Sequence, residues 1–256
     1  MEITALHGFL GLRSDWDFLR EAGLTVVTPP LDAIPDRGDV LLGYSMGGRL
    51  ALHALLRGAK YRCAVIVSAG LGIEDRVARE ERQRTDDRWA RMFEKQPWRR
   101  VTDEWNAQPV FGGHVVKRNE RDFDRRELAR QLREWSPGVL PALAWRLHEI
   151  TIPVLWIAGG RDAKYVEEGK RAVSRLPNAE LWICPGAGHR VPWEAPERFV
   201  KRLGAMDGPS RLVAAAAAVL LDLDQQVRVR LPDPVARGRA VQRRVARAVE
   251  PHAAPS

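Results

Sequence analysis

The sequence is poor in cysteine and has no long hydrophobic run. Its only two cysteines, Cys63 and Cys184, lie far apart within apolar stretches. They lack metal-ligand spacing and form no disulfide framework, so we predict two buried thiols in a reducing compartment and no metal site. The longest apolar run, residues 212–221, is about half of what a bilayer span needs. These absences argue against disulfide-rich and membrane-spanning classes of protein.

The amino-terminal residues also lack the features of a secretory leader. Residues 1–4 read Met-Glu-Ile-Thr, with no positively charged segment followed by a long apolar stretch. Signal peptides need both features. We therefore expect a cytoplasmic protein with no membrane partner.

Charge of one sign does not dominate locally, although the chain is basic overall. There are 41 Lys and Arg against 33 Asp and Glu, for a formal net charge of +8. The basic residues are scattered among acidic ones and form no stripe, which argues against nucleic-acid binding. The excess is consistent with a small anionic ligand as the partner.

Short apolar runs alternate with helical patterns at both ends of the chain. The runs predict strands at residues 3–6, 24–27, 39–42, 64–67, 154–158 and 179–183. The intervening patterns predict a helix that Ser14 caps and Gly23 closes, and helices at 45–57, 166–176 and 196–203. Strands that are apolar throughout and separated by helices are typical of a mostly parallel sheet with helices on both faces. The predicted fold class is therefore α/β.

Residues 73–148 interrupt this pattern with dense charge and no predicted strand. Five of the nine tryptophans fall there. Because the α/β pattern resumes afterwards, we predict a helical lid inserted into one domain of residues 1–205.

Residues 206–256 are rich in Ala and Arg; there we predict an extension with a helix at 211–221 and partial disorder.

The sharpest local motif is Gly43-Tyr44-Ser45-Met46-Gly47-Gly48, between a predicted strand and a predicted helix. This pattern is typical of a nucleophile elbow, in which small residues allow a tight turn that exposes the serine hydroxyl. The helix that follows points its positive end at the site, which favours developing negative charge. The competing interpretation is a packing turn whose glycines merely allow close contact between helix and strand.

An acid and a histidine follow the serine in the order that such a site requires. Asp162 comes after the strand predicted at 154–158, and His189 follows the strand predicted at 179–183. A lone Asp or His is more often a surface or capping residue, but both stand at the carboxyl ends of strands. Serine is a weak nucleophile and base until a histidine takes its proton and an acid orients that histidine. We therefore predict Ser45, Asp162 and His189 as a catalytic triad.

A glycine-containing turn after the first strand, His7-Gly8-Phe9-Leu10-Gly11, stands where such enzymes supply a second oxyanion donor. The predicted oxyanion hole consists of the backbone N–H groups of Phe9 and Met46. The alternative is a glycine turn with a capping histidine.

With these motifs the chain resembles the α/β-hydrolase superfamily over residues 5–203. Within it, the chain is most similar to the 2-succinyl-6-hydroxy-2,4-cyclohexadiene-1-carboxylate (SHCHC) synthases of menaquinone biosynthesis. The elbow and the triad are general to the superfamily. The narrower matches are the lid motifs Glu81-Arg82-Gln83-Arg84 with Trp89, and Trp105 with Gln108-Pro109-Val110-Phe111.

The resemblance implies a lyase that eliminates pyruvate from an anionic cyclohexene carboxylate, without cofactor or metal. Ser45 would act as a base and not as a nucleophile. The resemblance also implies that Tyr44, Arg49, Arg82 and Trp105 hold the substrate's carboxylates and ring. Arginine suits this role because its guanidinium forms forked hydrogen bonds to carboxylates.

Two other functions stay open at this point, a carboxylic-ester or C–C bond hydrolase with Ser45 as nucleophile, and a non-catalytic ligand-binding relative. The lid carries 17 Lys and Arg against 14 Asp and Glu, so most of its charge must be solvated helix surface. The stretch 28–39 is too short for a helix that the family has there, so we expect one wall of the site to be open or rebuilt.

Overall fold

The computed structural model describes residues 1–205, and the predicted extension 206–256 with its helix at 211–221 lies outside them. Six strands form one sheet within the described part. They are β1 (Glu2–Leu6), β2 (Thr25–Val27), β3 (Arg37–Tyr44), β4 (Lys60–Val67), β5 (Val154–Gly159) and β6 (Ala179–Cys184). Their order is β2-β1-β3-β4-β5-β6, and every neighbouring pair is parallel. The predicted parallel α/β sheet is confirmed.

Helices cover both faces of this sheet. The described helices are α1 (Asp17–Glu21), α2 (Met46–Leu56), α3 (Arg76–Lys95), α4 (Trp98–Asn106), α5 (Arg125–Glu134), α6 (Ala163–Val173), α7 (Val191–Glu194) and α8 (Pro196–Gly204). Successive side chains of a strand point to opposite faces. Val65 of β4 accordingly packs in the cluster that contains Phe199 of α8, whereas its neighbour Ile66 packs with Leu52 of α2. The core therefore consists of two apolar layers, one on each side of the sheet.

The chain between β4 and β5 contains α3, α4 and α5 and no strand. These helices have an apolar cluster of their own, with Phe93, Val101, Leu128 and Leu132 buried in it. Leu10, from the turn after β1, packs into the same cluster. The helical segment is thus joined to the turn that follows the first strand.

One local helix prediction is wrong, and one predicted helix is present with shifted bounds. Ser14 does not cap a helix, because residues 13–16 form a short 3₁₀ turn and α1 begins only at Asp17. Asp15 holds that turn instead, since its carboxylate accepts the backbone N–H of Leu12 at 2.9 Å. The helix predicted at 166–176 begins earlier, at Ala163, because Asp162 occupies its N-cap and accepts the N–H of Tyr165.

Only nine residues, 28–36, connect β2 to β3, and they contain no helix. A cavity of about 300 Å³ lies beside this connection, between Leu31 and Ile34 on one side and His53 of α2 on the other. None of residues 28–36 lines the larger cavity that contains Ser45. The short connection therefore borders a separate cavity beside α2 and contributes no side chain to the cavity with Ser45. No helix within residues 1–205 is long and apolar enough to span a membrane.

Candidate active site

The turn between β3 and α2 places Ser45 in a strained conformation. Its φ of +52° lies in the left-handed region, which L-residues with side chains rarely adopt. The turn is tight because a Cβ at Gly43 would lie 2.6 Å from the backbone oxygen of Gly47. A Cβ at Gly47 would lie 2.4 Å from the backbone oxygen of His7. Both glycines therefore allow backbone contacts that no other residue permits, and the serine side chain is left half-buried at the end of the sheet.

The structure brings Ser45, His189 and Asp162 together. Nε2 of His189 lies 3.2 Å from Oγ of Ser45, and Nδ1 lies 2.8 Å from Oδ2 of Asp162. The parallel sheet explains this meeting, because β3 delivers Ser45, β5 leads to Asp162 and β6 leads to His189. The carboxyl ends of parallel strands lie at the same edge of a sheet. The arrangement can move a proton from the hydroxyl to the imidazole.

Burial keeps the imidazole of His189 neutral. The side chain is 2% exposed and packs against the rings of Tyr165 and Tyr44, at centroid distances of 4.4 and 5.5 Å. Burial lowers the pKa of His189 below its usual 6.5, and the hydrogen bond to Asp162 opposes this shift. A neutral ring that donates Nδ1–H to Asp162 presents an unprotonated Nε2 to Ser45.

The two predicted oxyanion donors lie at the same cavity as Ser45. The N–H of Met46 belongs to the first turn of α2, where a helix leaves its N–H groups without internal partners. The N–H of Phe9 belongs to the turn after β1 and has no acceptor within residues 1–205. The two N–H groups are therefore available to an oxygen that carries developing negative charge.

Ser45 opens into a cavity of about 510 Å³, large enough for a small multiply charged organic molecule. Six cationic side chains line this cavity, namely Arg49, Arg82, Lys117, Arg118, Lys164 and Arg190. Its two acidic side chains are already paired, Asp86 with Arg82 at 2.8 Å and Asp15 with Arg118 at 2.6 Å. Four cations thus face the cavity without an ion pair in the described part of the chain. The electrostatics of the cavity favour an anionic ligand.

The four residues predicted to hold the substrate all line this cavity. Arg49 is 7% exposed, and its Nη2 donates a hydrogen bond to the backbone oxygen of Trp135. Its Nε has no hydrogen-bond partner within residues 1–205. Burial and the nearby Arg82 lower the pKa of Arg49 to about 10, so it stays charged at neutral pH. Trp105 packs at 4.6 Å from the ring of Phe9. Tyr44 is buried beside Trp193, at 4.8 Å between ring centroids.

Sequence reasoning missed Arg190, which directly follows His189 and is 7% exposed in the cavity wall. Its position beside the predicted base was the available signal. Arg118 was also missed, and its bidentate pair with Asp15 joins residues 103 positions apart, which no local pattern indicates.

Within residues 1–205, no group of three or more His, Cys, Asp or Glu side chains could hold a metal ion.

Comparison with known proteins assigns this chain to a family. The family model described as "Alpha/beta hydrolase family" matches residues 5–202, which is most of the chain. The chain belongs to the alpha/beta hydrolase family. The predicted superfamily is thereby confirmed, and its fold agrees with the parallel sheet and flanking helices described above.

Comparison with curated proteins also supports the narrower resemblance to SHCHC synthases. A 2-succinyl-6-hydroxy-2,4-cyclohexadiene-1-carboxylate synthase of Escherichia coli O7:K1 is 34% identical over 176 residues, and one of Salmonella paratyphi B is 32% identical over 170 residues. Each alignment covers 64% of this chain and 66% of the relative. The chain thus matches just under two thirds of the length of these alpha/beta hydrolase relatives.

Solved structures share the same fold. MenH from S. aureus superposes with a TM-score of 0.72 at 23% identity, over 80% of this chain and 92% of that protein. The carboxylesterase CesB from Bacillus subtilis gives a TM-score of 0.54 at 18% identity, over 79% of this chain and 81% of that protein. At such identities the likeness concerns the fold alone.

Proposed function

We propose that this alpha/beta hydrolase is an SHCHC synthase-like lyase that eliminates pyruvate from an anionic cyclohexene carboxylate. The carrying observation is that the Ser45–His189–Asp162 arrangement opens into a cavity with four cations that have no ion pair within residues 1–205. A hydrolase of neutral esters needs the first feature but has no use for the second. The similarity to curated SHCHC synthases supports the same choice.

In the proposed reaction, Ser45 gives its hydroxyl proton to Nε2 of His189 and takes a proton from a ring carbon of the substrate. The electron pair of that C–H bond forms a ring double bond, and the carbon–oxygen bond to the three-carbon leaving group breaks. The leaving enolate takes the proton from His189 and is released as pyruvate. Asp162 orients the imidazole and stabilises its charged form.

Other parts of the chain would support this step. The N–H groups of Phe9 and Met46 would stabilise the negative charge that develops on the oxygen of the leaving enolate. Tyr44, Arg49, Arg82 and Trp105 would hold the substrate's carboxylates and ring. Residues 73–148 would form the lid of the 1–205 domain, because α3, α4 and the segment after α4 contribute side chains to the cavity.

The decisive experiment is a pyruvate-release assay with the purified protein and the SHCHC precursor. We expect stoichiometric release of pyruvate and SHCHC, with no added metal or cofactor. Turnover of a small activated ester through a burst of acyl-enzyme, without pyruvate release, would instead identify the runner-up, a carboxylic-ester or C–C bond hydrolase with Ser45 as nucleophile. The same triad geometry serves that alternative, so only the product distinguishes the two.

Replacing Arg82 with alanine should lower kcat/KM for the anionic substrate by roughly 10- to 100-fold, because one charge-assisted hydrogen bond contributes about 1.5–3 kcal/mol. Hydrolysis of a neutral ester should change by less than about threefold, since no charge is recognised. Arg84→Ala is the matched control, because Arg84 lies on the same helix but does not line the cavity. Equal losses on both substrates would contradict a binding role for Arg82.

The pH dependence of kcat/KM follows from the lowered pKa of His189. Only the neutral ring can accept the hydroxyl proton of Ser45, so a lowered pKa extends activity to more acidic conditions. We expect kcat/KM to fall on acidification with a midpoint below 6.5. Lys164→Gln should move this acid limb upward, because Lys164 is one of the cations that lower the pKa. A limb centred above 6.5 would show that another group controls the rate.

A further inference from the structure

The guanidinium of Arg190 is buried beside the triad and has no acidic partner within residues 1–205. Arg190 is 7% exposed and lines the cavity that contains Ser45. Its Nη1 donates to the backbone oxygen of His114, and its Nη2 donates to Oδ1 of Asn106 at 3.0 Å. The guanidinium carbon lies 3.9 Å from the ring centroid of Phe111. All of these contacts are to uncharged groups.

The acid nearest in sequence does not neutralise this charge. Glu194 accepts the backbone N–H groups of Gly188 and Arg190, at 2.8 and 2.9 Å, and its remaining ion pair is with Arg161 at 2.8 Å. Arg118, on the same cavity wall, shows the contrast, because both of its terminal nitrogens bind the Asp15 carboxylate. A buried charge is costly unless it is paired. No carboxylate within residues 1–205 therefore balances the charge of Arg190. A carboxylate of a ligand in the cavity could balance it.

A second guanidinium without an ion pair in residues 1–205, that of Arg49, lines the same cavity. Arg49 is one turn into α2, whose neighbour Leu50 packs in the apolar layer on that face. Arg190 immediately precedes α7, whose first residue Val191 packs in the other layer. The two cations thus belong to elements on opposite faces of the sheet and line the same cavity, so a ligand with two carboxylates would satisfy both.

We propose that Arg190 is a specificity-determining residue that binds a substrate carboxylate on the His189 side of Ser45, while Arg49 binds another on the α2 side. The proposal rests on the proposed function, which it deepens by assigning a second anion site. It differs from a purely structural role, in which Arg190 would only tie the segment 106–114 to the loop after β6. In that case Arg190 would not contact a carboxylate of the ligand.

Two substitutions distinguish these roles. Arg190→Gln removes the charge but keeps one amide donor. Asn106→Asp keeps the size of the side chain and supplies a carboxylate oxygen 3.0 Å from Nη2 of Arg190, so it competes with a bound anion while keeping that bond. It removes the amide N–H bonds of Asn106 to the backbone oxygens of Thr102 and Val116, so its unfolding temperature is measured alongside. We expect each variant to raise KM for the anionic substrate about tenfold or more, the loss of one charge-assisted contact. The kcat/KM for p-nitrophenyl acetate should stay within about threefold of the unmodified protein.

Arg198→Gln is the matched control, because Arg198 also donates to a backbone oxygen, that of Pro185, but does not line the cavity. It should leave KM for the anionic substrate unchanged. If Arg190→Gln lowers the unfolding temperature and impairs both substrates equally while Asn106→Asp is silent, the role of Arg190 is structural and the proposal is overturned. Unchanged KM in both variants would overturn it as well.

Binding of phthalate separates this proposal from the proposed function. Phthalate is an aromatic dicarboxylate that needs no turnover, and its dimethyl ester is the neutral control. We expect phthalate, but not the ester, to raise the unfolding temperature of the unmodified protein, and both variants to lose most of that rise. If pyruvate is never released but this pattern holds, the anion site stands and the proposed reaction fails. If phthalate stabilises the protein and both variants equally, the site assignment fails.

Discussion

Pyruvate release is expected to fall by at least about 10³-fold when Ser45 is replaced with alanine. The substitution removes the hydroxyl that lies 3.2 Å from Nε2 of His189 and leaves the imidazole and its bond to Asp162 in place. No other side chain oxygen bonds to Nε2 of His189 within residues 1–205. Single-turnover assays of pyruvate formation measure the effect directly. Residual activity would report the contribution of the cavity and the oxyanion donors alone.

The same variant separates the three functions considered from the sequence. Loss of pyruvate release without any acyl-enzyme burst in the unmodified protein supports Ser45 as a base. Loss of ester turnover together with a burst identifies a covalent nucleophile. Turnover that survives in Ser45→Ala would remove Ser45 from the mechanism and leave the ligand-binding interpretation. Ser174→Ala is the control for serine loss, because Ser174 is exposed and bonds only within its own helix turn.

The unfolding temperature of Ser45→Ala should fall by no more than about 2–4 °C, the effect of one hydrogen bond in a domain of this size. Ser45 holds a φ of +52°, a conformation that costs free energy in any L-residue with a side chain, and alanine inherits the same cost. The hydroxyl itself is half-buried and contributes one hydrogen bond, to His189. A large loss of stability would mean that the activity change reflects unfolding and not chemistry.

The sequence was sufficient for those parts of the site that local patterns define. Ser45 could be found because the elbow needs glycine at positions where backbone atoms approach within 2.6 Å of a would-be Cβ. Asp162 and His189 could be found because each follows an apolar strand, and parallel strands end at one edge. The strands themselves were predicted by their apolar centres. Their charged starts, Arg37 and Lys60, lay outside the predicted ranges.

Contacts across long sequence separations could not be predicted. Arg190 acquires its environment from Asn106 and His114, some 80 positions earlier, and nothing near residue 190 indicates that they meet. The 3₁₀ turn at 13–16 likewise depends on Asp15, which also binds Arg118 from the helical segment. Tertiary partners therefore overrode the local capping signal of Ser14. The composition indicated an anionic ligand, but the unpaired cations became visible only with the cavity.

Gly47→Ala should destabilise the fold by about 3 kcal/mol or more. The added methyl carbon would lie 2.4 Å from the backbone oxygen of His7 and 2.5 Å from that of Leu6. Real Cβ atoms essentially never approach so closely, and neither neighbour is a flexible side chain. The end of β1 must therefore move away from the start of α2. For a domain of this size we expect the unfolding temperature to fall by roughly 6–12 °C in a thermal melt.

The displacement should also impair catalysis beyond the loss of stability, because the contact that Gly47 permits sets the distance between the two predicted oxyanion donors. Phe9 follows β1 and Met46 opens α2, so a shift of β1 from α2 separates their N–H groups. A misplaced oxyanion donor costs about 10²-fold in kcat or more. Gly204→Ala is the matched control, since a Cβ there meets no atom within 4 Å, and its effect should stay within about 1 kcal/mol. A Gly47→Ala protein that melts like the Gly204→Ala protein would show that β1 and α2 are not in the contact described here.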